Sequence, residues 1–414
     1  MHLLFLEIKR ILSSRSSQIA IGAAVLFSIL LAYVPITFVY YYSPEEQKFV
    51  SGFQAIKDEQ AMRSDLEGAI TQEDIINAIT KYQAVLSKYG VDSRYKLPNE
   101  GSYEIEDIKP ILHMIEEAYG SEDGLAANIL DLSTNELPDF YESCSTHLAN
   151  NMVLEQKDHP AAQSAAVTSY SKVSIPFSYY YGISSSAIEY EGLLIALILF
   201  CCTIVCAPVF SSEYQTGSDN ILRCTKYGRK ELAITKILSA VIISSTVFLI
   251  CFAVWFGLAL TFWGTKGLYT SVQILFTVIG LIDGNAMHFI FLLAACSLIM
   301  LISSICLTLF ISSKVSSNMV SLAIAFLISI MPLMLTWFIP SNIACIAKAL
   351  FPSGGIGLNN GFLYDLIDFH FLNIGNIAIW TPYLIVGVAC LEIPLWIFMT
   401  IRSYKTHISE KAAS

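Results

Sequence analysis

Six stretches of this chain are each long and apolar enough to cross a bilayer, and no other feature limits its fold as much. A hydrocarbon core about 30 Å thick is spanned by about 20 helical residues rising about 1.5 Å each. Ser17–Tyr41, Gly192–Ser211, Ile237–Phe262, Met287–Ile311, Ser317–Ile339 and Asn376–Ile401 meet that length and are almost free of charge. In lipid, each backbone N–H and C=O must be satisfied within its own segment, so these runs fold as helices. The expectation is an all-α polytopic membrane protein with six transmembrane helices. Composition agrees: of 414 residues, 55% are hydrophobic and 14% charged, where soluble domains carry about 25% charged residues. A purely soluble enzyme, a disordered chain, a collagen and a disulfide scaffold are excluded.

The first run follows Lys9, Arg10 and Arg15, as a signal peptide would. Its apolar length exceeds a signal-peptide core, however, and no small-residue cleavage site closes it. It is expected to be retained, with Tyr40, Tyr41 and Tyr42 anchoring its far end among headgroups. Orientation follows from Lys and Arg in the short connections. One side receives Lys9, Arg10, Arg15, Arg223, Lys226, Arg229, Lys230, Lys236, Lys314, Arg402, Lys405 and Lys411, the other only Lys266 and Lys348. Both termini are therefore expected in the cytoplasm. The layout reads as an interfacial helix (1–16), a first span (17–42), an extracytoplasmic domain (43–190), five further spans (191–401) with a cytoplasmic loop at 212–236, and a cytoplasmic tail (402–414).

The inserted domain is acidic, with 24 Asp and Glu against 10 Lys and Arg between Ser43 and Glu189. That charge either attracts a cationic ligand such as a basic peptide or simply keeps the domain solvated. Its pattern is helical. Ile75, Ile79, Tyr82 and Leu86 fall on one face, with Thr71 and Asp74 as a capping box and Gly90 as a stop. Ile108, Ile111, Leu112, Ile115 and Tyr119 form a second face that ends at Gly120, with Pro110 in the first turn. Leu137–Lys157 and Ala161–Lys172 are further helix candidates. Ser174–Gly182 reads as an interfacial or extended return path. Its Phe177, Tyr179, Tyr180 and Tyr181 are either headgroup anchors or substrate contacts. Of ten Cys, only Cys144 and Cys345 face outward, where they either pair or remain free thiols.

Catalytic and cofactor constellations are absent. There is no phosphate-binding loop, since Gly264-Thr265-Lys266 lacks the first Gly at the required spacing, and no H-E-x-x-H, G-x-S-x-G or C-x-x-C. The motifs of intramembrane aspartyl and serine proteases are missing as well. Asp365, Asp368 and His370 form a loose D-x-x-D-x-H, a pattern that polar loops gather by chance. No metal site and no catalytic residue is therefore assigned. Within the spans Glu392 stands out, roughly 13 Å in from the end of the last span by helix rise. A carboxylate at that depth costs about 2.5–3.5 kcal/mol, so it should face the bundle or a cavity. It either lines a pathway or is a hydrogen-bonded structural group. Pro208, Pro332, Pro382 and Pro394 predict kinks.

The connection between the second and third spans carries the most information. Gly217 breaks the preceding helix, Ser218 can cap a new one, and Asp219 suits its first turn. That helix can run only to about Cys224 before Thr225–Gly228 turn it, a length of about 10 Å. It is too short to be a domain but can be a knob for a partner to hold. An ordinary positive loop would account for Arg229, Lys230 and Lys236, but not for Glu213, Gly217 and a capped short helix.

These residues resemble the membrane subunits of ABC transporters of the type-2 exporter class. In that family an E-x-x-x-G follows the second span, then a Leu/Ile pair, a short turn, G-R, and a Lys that opens the third span. Here these are Glu213, Gly217, Ile221-Leu222, Gly228-Arg229 and Lys236, with Lys226 where the family often has Pro. The N-terminus is similar too: Leu4, Ile8, Ile11 and Leu12 form one face and Glu7, Arg10 and Ser14 the other, as in an amphipathic interfacial helix. The resemblance implies a permease in a bacterial cytoplasmic membrane that binds no cofactor itself and pairs with a separate ATPase subunit carrying ATP and Mg²⁺. A second permease chain, identical or related, completes the pore, and nucleic acid has no part. ATP binding would pull on a coupling helix at Ser218–Cys224, with Glu213, Gly217, Asp219, Ile221, Leu222, Arg223, Gly228, Arg229 and Lys236 as the coupling residues. A large domain between the first two spans points, within the family, to peptide export or immunity. Three rivals are a ligand-sensing receptor, a proton-coupled secondary transporter using Glu392, and a membrane enzyme.

Overall fold

The computed structural model describes residues 2–121, 123–225, 228–339, 341–354, 356 and 361–406. Helix α1 (His2–Leu12) precedes α2 (Arg15–Tyr33), which continues as a 3-10 turn over Val34–Phe38. The inserted domain holds α3 (Phe53–Met62), α4 (Gln72–Tyr89), α5 (Asn99–Glu104), α6 (Lys109–Ala118), α7 (Phe140–Glu155) and α8 (Pro160–Tyr170). The chain then runs through α9 (Ser185–Cys206), α10 (Pro208–Thr216), α11 (Ser218–Arg223) and α12 (Lys230–Trp263). After α13 (Val272–Leu275) come α14 (Ala286–Ser312), α15 (Asn318–Phe338), α16 (Ser341–Lys348), α17 (Phe362–Ile367) and α18 (Thr381–Thr406). Three two-stranded antiparallel pairs complete the described structure: β1 (Tyr40–Ser43) with β2 (Lys48–Ser51), β3 (Gly68–Ala69) with β4 (Ser178–Tyr179), and β5 (Phe371–Ile374) with β6 (Ile377–Trp380).

Six helical segments are long and apolar enough to cross a membrane: Arg15–Phe38, Ser185–Thr216, Lys230–Trp263, Ala286–Ser312, Asn318–Leu335 and Thr381–Thr406. The protein is an all-α polytopic membrane protein. α9 is central, with 72% of the residues in its apolar stretch buried against α2, α12 and α14, whereas only 17% of those in the apolar stretch of α15 are buried. α14 packs against α12, α15 and α18.

Two span ends differ from the apolar pattern. Tyr40–Tyr42 do not extend the first span; they form β1, where Tyr41 is buried and its hydroxyl donates to Asp58 at 2.7 Å. Asn376–Trp380 likewise belong to the turn and strand β6, so the last span starts at Thr381. Both segments are apolar yet extended, and apolarity alone does not separate a strand from a helix end. The central α9 starts earlier than its apolar core, at Ser185, because the Ser184 hydroxyl caps it by accepting from Ala187 N.

In the domain, α4 has the expected capping box, with Thr71 and Asp74 bonded reciprocally and Gly90 closing the helix at φ 65°. Ile75, Ile79, Tyr82 and Leu86 from α4 meet Ile111, Leu112 and Ile115 from α6 and Phe140 and Leu148 from α7 in one core. The domain rests on the connection between α12 and α14. Val278 N donates to Glu117 Oε2 at 2.9 Å, Tyr170 OH to Val278 O at 2.9 Å, and Ser174 N to Asp283 Oδ1 at 2.9 Å. Gly182 and Gly267 meet backbone to backbone: a Cβ on Gly267 would lie 2.4 Å from Gly182 Cα. Ser174–Gly182 is the extended return path, in which Phe177, Tyr179 and Tyr181 are buried and Tyr180 is half-buried. Phe177 packs edge-on against Tyr141, and Tyr181 OH lies 3.3 Å from Glu59.

Candidate functional site: the loop between the second and third spans

Pro208 has no N–H to continue α9, so the helix breaks at Ala207 and resumes as α10. The break is held by hydroxyls. Ala207 O accepts from Ser211 at 3.0 Å, Ser312 at 2.6 Å and Ser321 at 3.1 Å, and Ser312 Oγ in turn accepts from Phe210 N and Ser211 N. These bonds tie the start of α10 to the ends of α14 and α15.

One turn further on, α10 carries Glu213 into a buried ion cluster. Glu213 Oε1 lies 2.5 Å from Lys236 Nζ, at the start of α12, and 3.0 Å from Arg10 Nη1 on α1. Glu7, also on α1, reaches Arg10 at 2.8 Å and Lys236 at 3.1 Å. Two cations and two carboxylates thus balance across three helices. Lys236 is fully buried, with its ammonium 6.0 Å above the Phe210 ring. Glu7 therefore does not lie on a solvent-facing side of α1, while Arg10 pairs inward with a side chain that stays 37% exposed. Glu7 turns inward with Ile11, while Phe5 and Leu6 are exposed. Of the expected apolar face, Ile11 is buried and Ile8 packs against the core, so the inward side of α1 carries apolar residues together with the paired Glu7.

α10 ends at Gly217, whose φ of 71° and ψ of 9° place it in the left-handed region that glycine occupies without strain. α11 follows at once. Gly217, not Ser218, is its N-cap, and Ser218 is its first residue, with its hydroxyl 3.0 Å from that of Thr216. Gly217 alone separates the two helices, which leaves no room for a separate capping serine. The short helix presents two surfaces. Asp219 is buried, Leu222 is half-buried and Ile221 is 75% exposed. Arg223 donates to Tyr404 O and lies 5.2 Å from the centre of the Tyr404 ring, which itself stacks on Tyr214 and packs on Phe210. α11 is thereby fastened to the end of α18. Past the turn, Gly228 is indispensable as glycine: a Cβ there would lie 1.7 Å from Leu222 O. Arg229 is exposed and forms the N-cap of α12 with φ −110° and ψ −94°. Lys226 lies outside the described residues.

The loop residues named from the sequence thus share one neighbourhood, and the structure adds Glu7, Arg10 and Tyr404. Glu7 and Arg10 could have been flagged as an i,i+3 charged pair beside an apolar stripe, but their partners lie some 200 residues away.

Glu392 is remote from this loop. It is buried between α18 and α14, and Ser303 Oγ donates to its Oε2 at 3.0 Å. Asp365 does not join Asp368 and His370 as a ligand set. It forms a fully buried pair with Lys348 at 2.7 Å, and burial pushes its carboxyl up to about 6. Asp368 and His370 face each other at 3.4 Å. Cys144 is a free thiol in the domain core, and the side chain of Cys345 lies outside what is described.

No curated protein and no solved structure matches the chain. The family model described as ABC-2 family transporter protein matches residues 6–364, from the ion-cluster helix α1 through all but the last span. With six spans and a short braced helix between the second and third, the chain belongs to the ABC-2 family of transporter membrane proteins, as a permease subunit.

Proposed function

We propose that this permease is driven by a separate ABC ATPase subunit that docks on α11, and that it exports a peptide or another amphipathic substrate, as an immunity or efflux pump does. The observation that carries this reading is the mounting of α11. Its outward face holds Asn220 and Ile221, and its inward face is fastened through Arg223 to α18. Through α10 it connects to the cluster of Glu7, Arg10, Glu213 and Lys236 on α1 and α12. A push on Ile221 therefore reaches four helices through rigid parts, as a drive shaft requires. Both termini and α11 are assigned to the cytoplasm, where ATP and Mg²⁺ would sit on the partner. The weakly buried face of α15 is the surface left for a second permease chain. The acidic domain supports a cationic substrate, since its charge concentrates cations at the exit side. Glu392, bonded to Ser303, is given a structural role.

The test is a mild-detergent pull-down from the native membrane with ATPase activity measured on the eluate, wild type beside Ile221→Asp. Because Ile221 is 75% exposed, the variant keeps its fold. It should lose the co-purifying ATPase activity by about tenfold or more, as truncating an interface anchor does. Equal activity in both eluates, or none in wild type, would overturn the docking assignment.

A further inference from the structure

Strand β5 has one paired edge and one open edge. The two-residue turn of Gly375 and Asn376, with Gly375 at φ 58°, joins Ile374 to Ile377 and pairs β5 with β6. In such a hairpin the pair flanking the turn exchanges backbone hydrogen bonds, and every second pair along the ladder does the same. Ile374, Leu372 and His370 therefore bond toward β6, and Thr381 N donates to His370 O at 3.0 Å in that register. The backbone N–H and C=O groups of Phe371 and Asn373 point the other way, where they have no hydrogen-bond partner among the described residues. An unpaired strand edge is ordinarily blunted by a charge, a proline or a bulge, and the Phe-Leu-Asn-Ile of β5 has none of these.

That edge lines a cavity of about 350 Å³ in the seam between the inserted domain and the bundle, a volume within the range of ligand pockets. Phe371, Leu372 and Asn373 form one wall, the turn from α7 into α8 another, and Ile346 of α16 and Thr381 of α18 close the bundle side. Gln156, in that turn, fixes which way the open edge faces. Its Nε2 donates to Phe369 O at 3.3 Å, and its Oε1 accepts from Asn373 Nδ2 at 3.1 Å. Phe369 stands in the same alternation as Phe371 and Asn373. One side-chain amide has thus already taken the first acceptor of this edge, as the backbone amide of an added strand would take the next. The rim is exposed and charged: Glu155 and Asp158 stand against Lys157, none with an ion-pair partner among the described residues.

We infer that this cavity binds an extended peptide segment that adds to the open edge of β5 as a third strand, its backbone bonded to Phe371 and Asn373. Such an edge offers donors and acceptors in strand register, which a chain with its own amides matches. From Phe371 to Asn373 it is about 7 Å long, so about three residues of the peptide are held. The excess of carboxylate on the rim, in a domain with 24 Asp and Glu against 10 Lys and Arg, favours a segment that carries Lys or Arg. The inference rests on the reading of this permease as a peptide exporter and names where, and by which chemistry, the peptide is held.

The test is fluorescence anisotropy of a labelled, amidated Lys-Val-Lys-Val-Lys-Val peptide titrated with the full chain in detergent. Two further probes are the same peptide N-methylated at every internal amide, which keeps its charge and side chains, and its Glu-for-Lys counterpart. The parent peptide should bind about tenfold or more tightly than either. Asn373→Pro removes an N–H that does not bond to β6, so the hairpin keeps its pairing, and it should cut binding of the parent about tenfold. Asn373→Ala, which loses only the side-chain bond to Gln156, should bind like wild type. Equal binding of the parent and N-methylated peptides, no binding of the parent, or wild-type affinity in Asn373→Pro overturns the added strand. The N-methyl comparison uses wild-type protein and so decides the matter even where Asn373→Pro fails to fold. ATPase activity of the co-purified complex, measured with the same peptides, separates this site from the broader reading. Stimulation by parent and N-methylated peptide alike, with equal binding, would keep peptide export and remove the β5 site.

Discussion

Lys236 shows how one buried charge can organise three helices. Its side chain has no contact with water, and its ammonium meets Glu7 at 3.1 Å and Glu213 at 2.5 Å. A buried ion pair adds little net stability over an apolar substitute, but removing one member leaves an uncompensated charge at a cost of about 3–5 kcal/mol. Lys236→Met should therefore lower the thermal midpoint sharply, because it leaves two carboxylates facing the single cation Arg10. Lys236→Met combined with Glu213→Met leaves Glu7 and Arg10 as a balanced pair 2.8 Å apart. The double variant should recover most of the loss, giving a coupling energy of about 2 kcal/mol or more between the two sites. Thermal unfolding of the four members of the cycle in detergent measures it. If the two losses simply add, the cluster is not a single unit. The arrangement was only half legible in the sequence. Glu213 and Lys236 stood out by their spacing around the loop, whereas Glu7 and Arg10 looked like the wet side of a surface helix. Side-chain polarity marks which residues need partners but not where the partners are.

Helices α10 and α11 and the turn after them rest on two glycines with different duties. Gly217 supplies a left-handed backbone at φ 71°, with open space around the position a Cβ would take. Gly228 supplies room, since a Cβ there would overlap Leu222 O. Gly217→Ala should then cost only the left-handed penalty of about 1–2 kcal/mol and keep the loop in place. Gly228→Ala has no such escape: the end of α11 must move off the turn, and with it the contact of Arg223 with Tyr404. In the pull-down, Gly217→Ala should retain most of the ATPase activity and Gly228→Ala should lose it, with both chains still inserted. Similar activity in the two variants would mean that the turn adapts and the close approach has no role in coupling. Local chemistry made α10, α11 and the capping box of α4 readable in advance, because caps, breaks and periodicity act within a few residues. It did not reveal the two hairpins at Tyr40–Ser51 and Phe371–Trp380, whose apolar strands look like extensions of the adjoining spans.

The molecule as a whole joins a soluble-type helical core to a membrane bundle, and the joint is made by backbone as much as by side chains. Tyr180 N donates to Thr270 Oγ1 at 3.0 Å, and that hydroxyl donates back to Tyr180 O at 2.7 Å. Ser271 N donates to Ser178 O at 2.8 Å, and Lys266 reaches Glu67 at 2.8 Å. Gly182 and Gly267 lie at the centre of these contacts, each within 2.6 Å of where the other's Cβ would be. Nothing in the sequence marked this pair, since two glycines 85 positions apart look like ordinary loop residues. Tyr180, Gly182 and Thr270 also line a cavity of about 260 Å³ where the domain meets the bundle, so the seating of the domain and the shape of that cavity are a single property. Gly267→Ala cannot be accommodated by a rotamer change, because what it meets is backbone. The variant should loosen the domain while leaving its own core of α4, α6 and α7 folded. Hydrogen exchange read by mass spectrometry distinguishes the two. Amides of Ser178–Tyr180 and Thr270–Val272 should exchange at least tenfold faster than in wild type, while those of Ile75–Leu86 stay protected. Equal acceleration in both regions would show that domain and joint unfold together, and unchanged exchange at the joint would show that the glycine contact does not hold the domain in place.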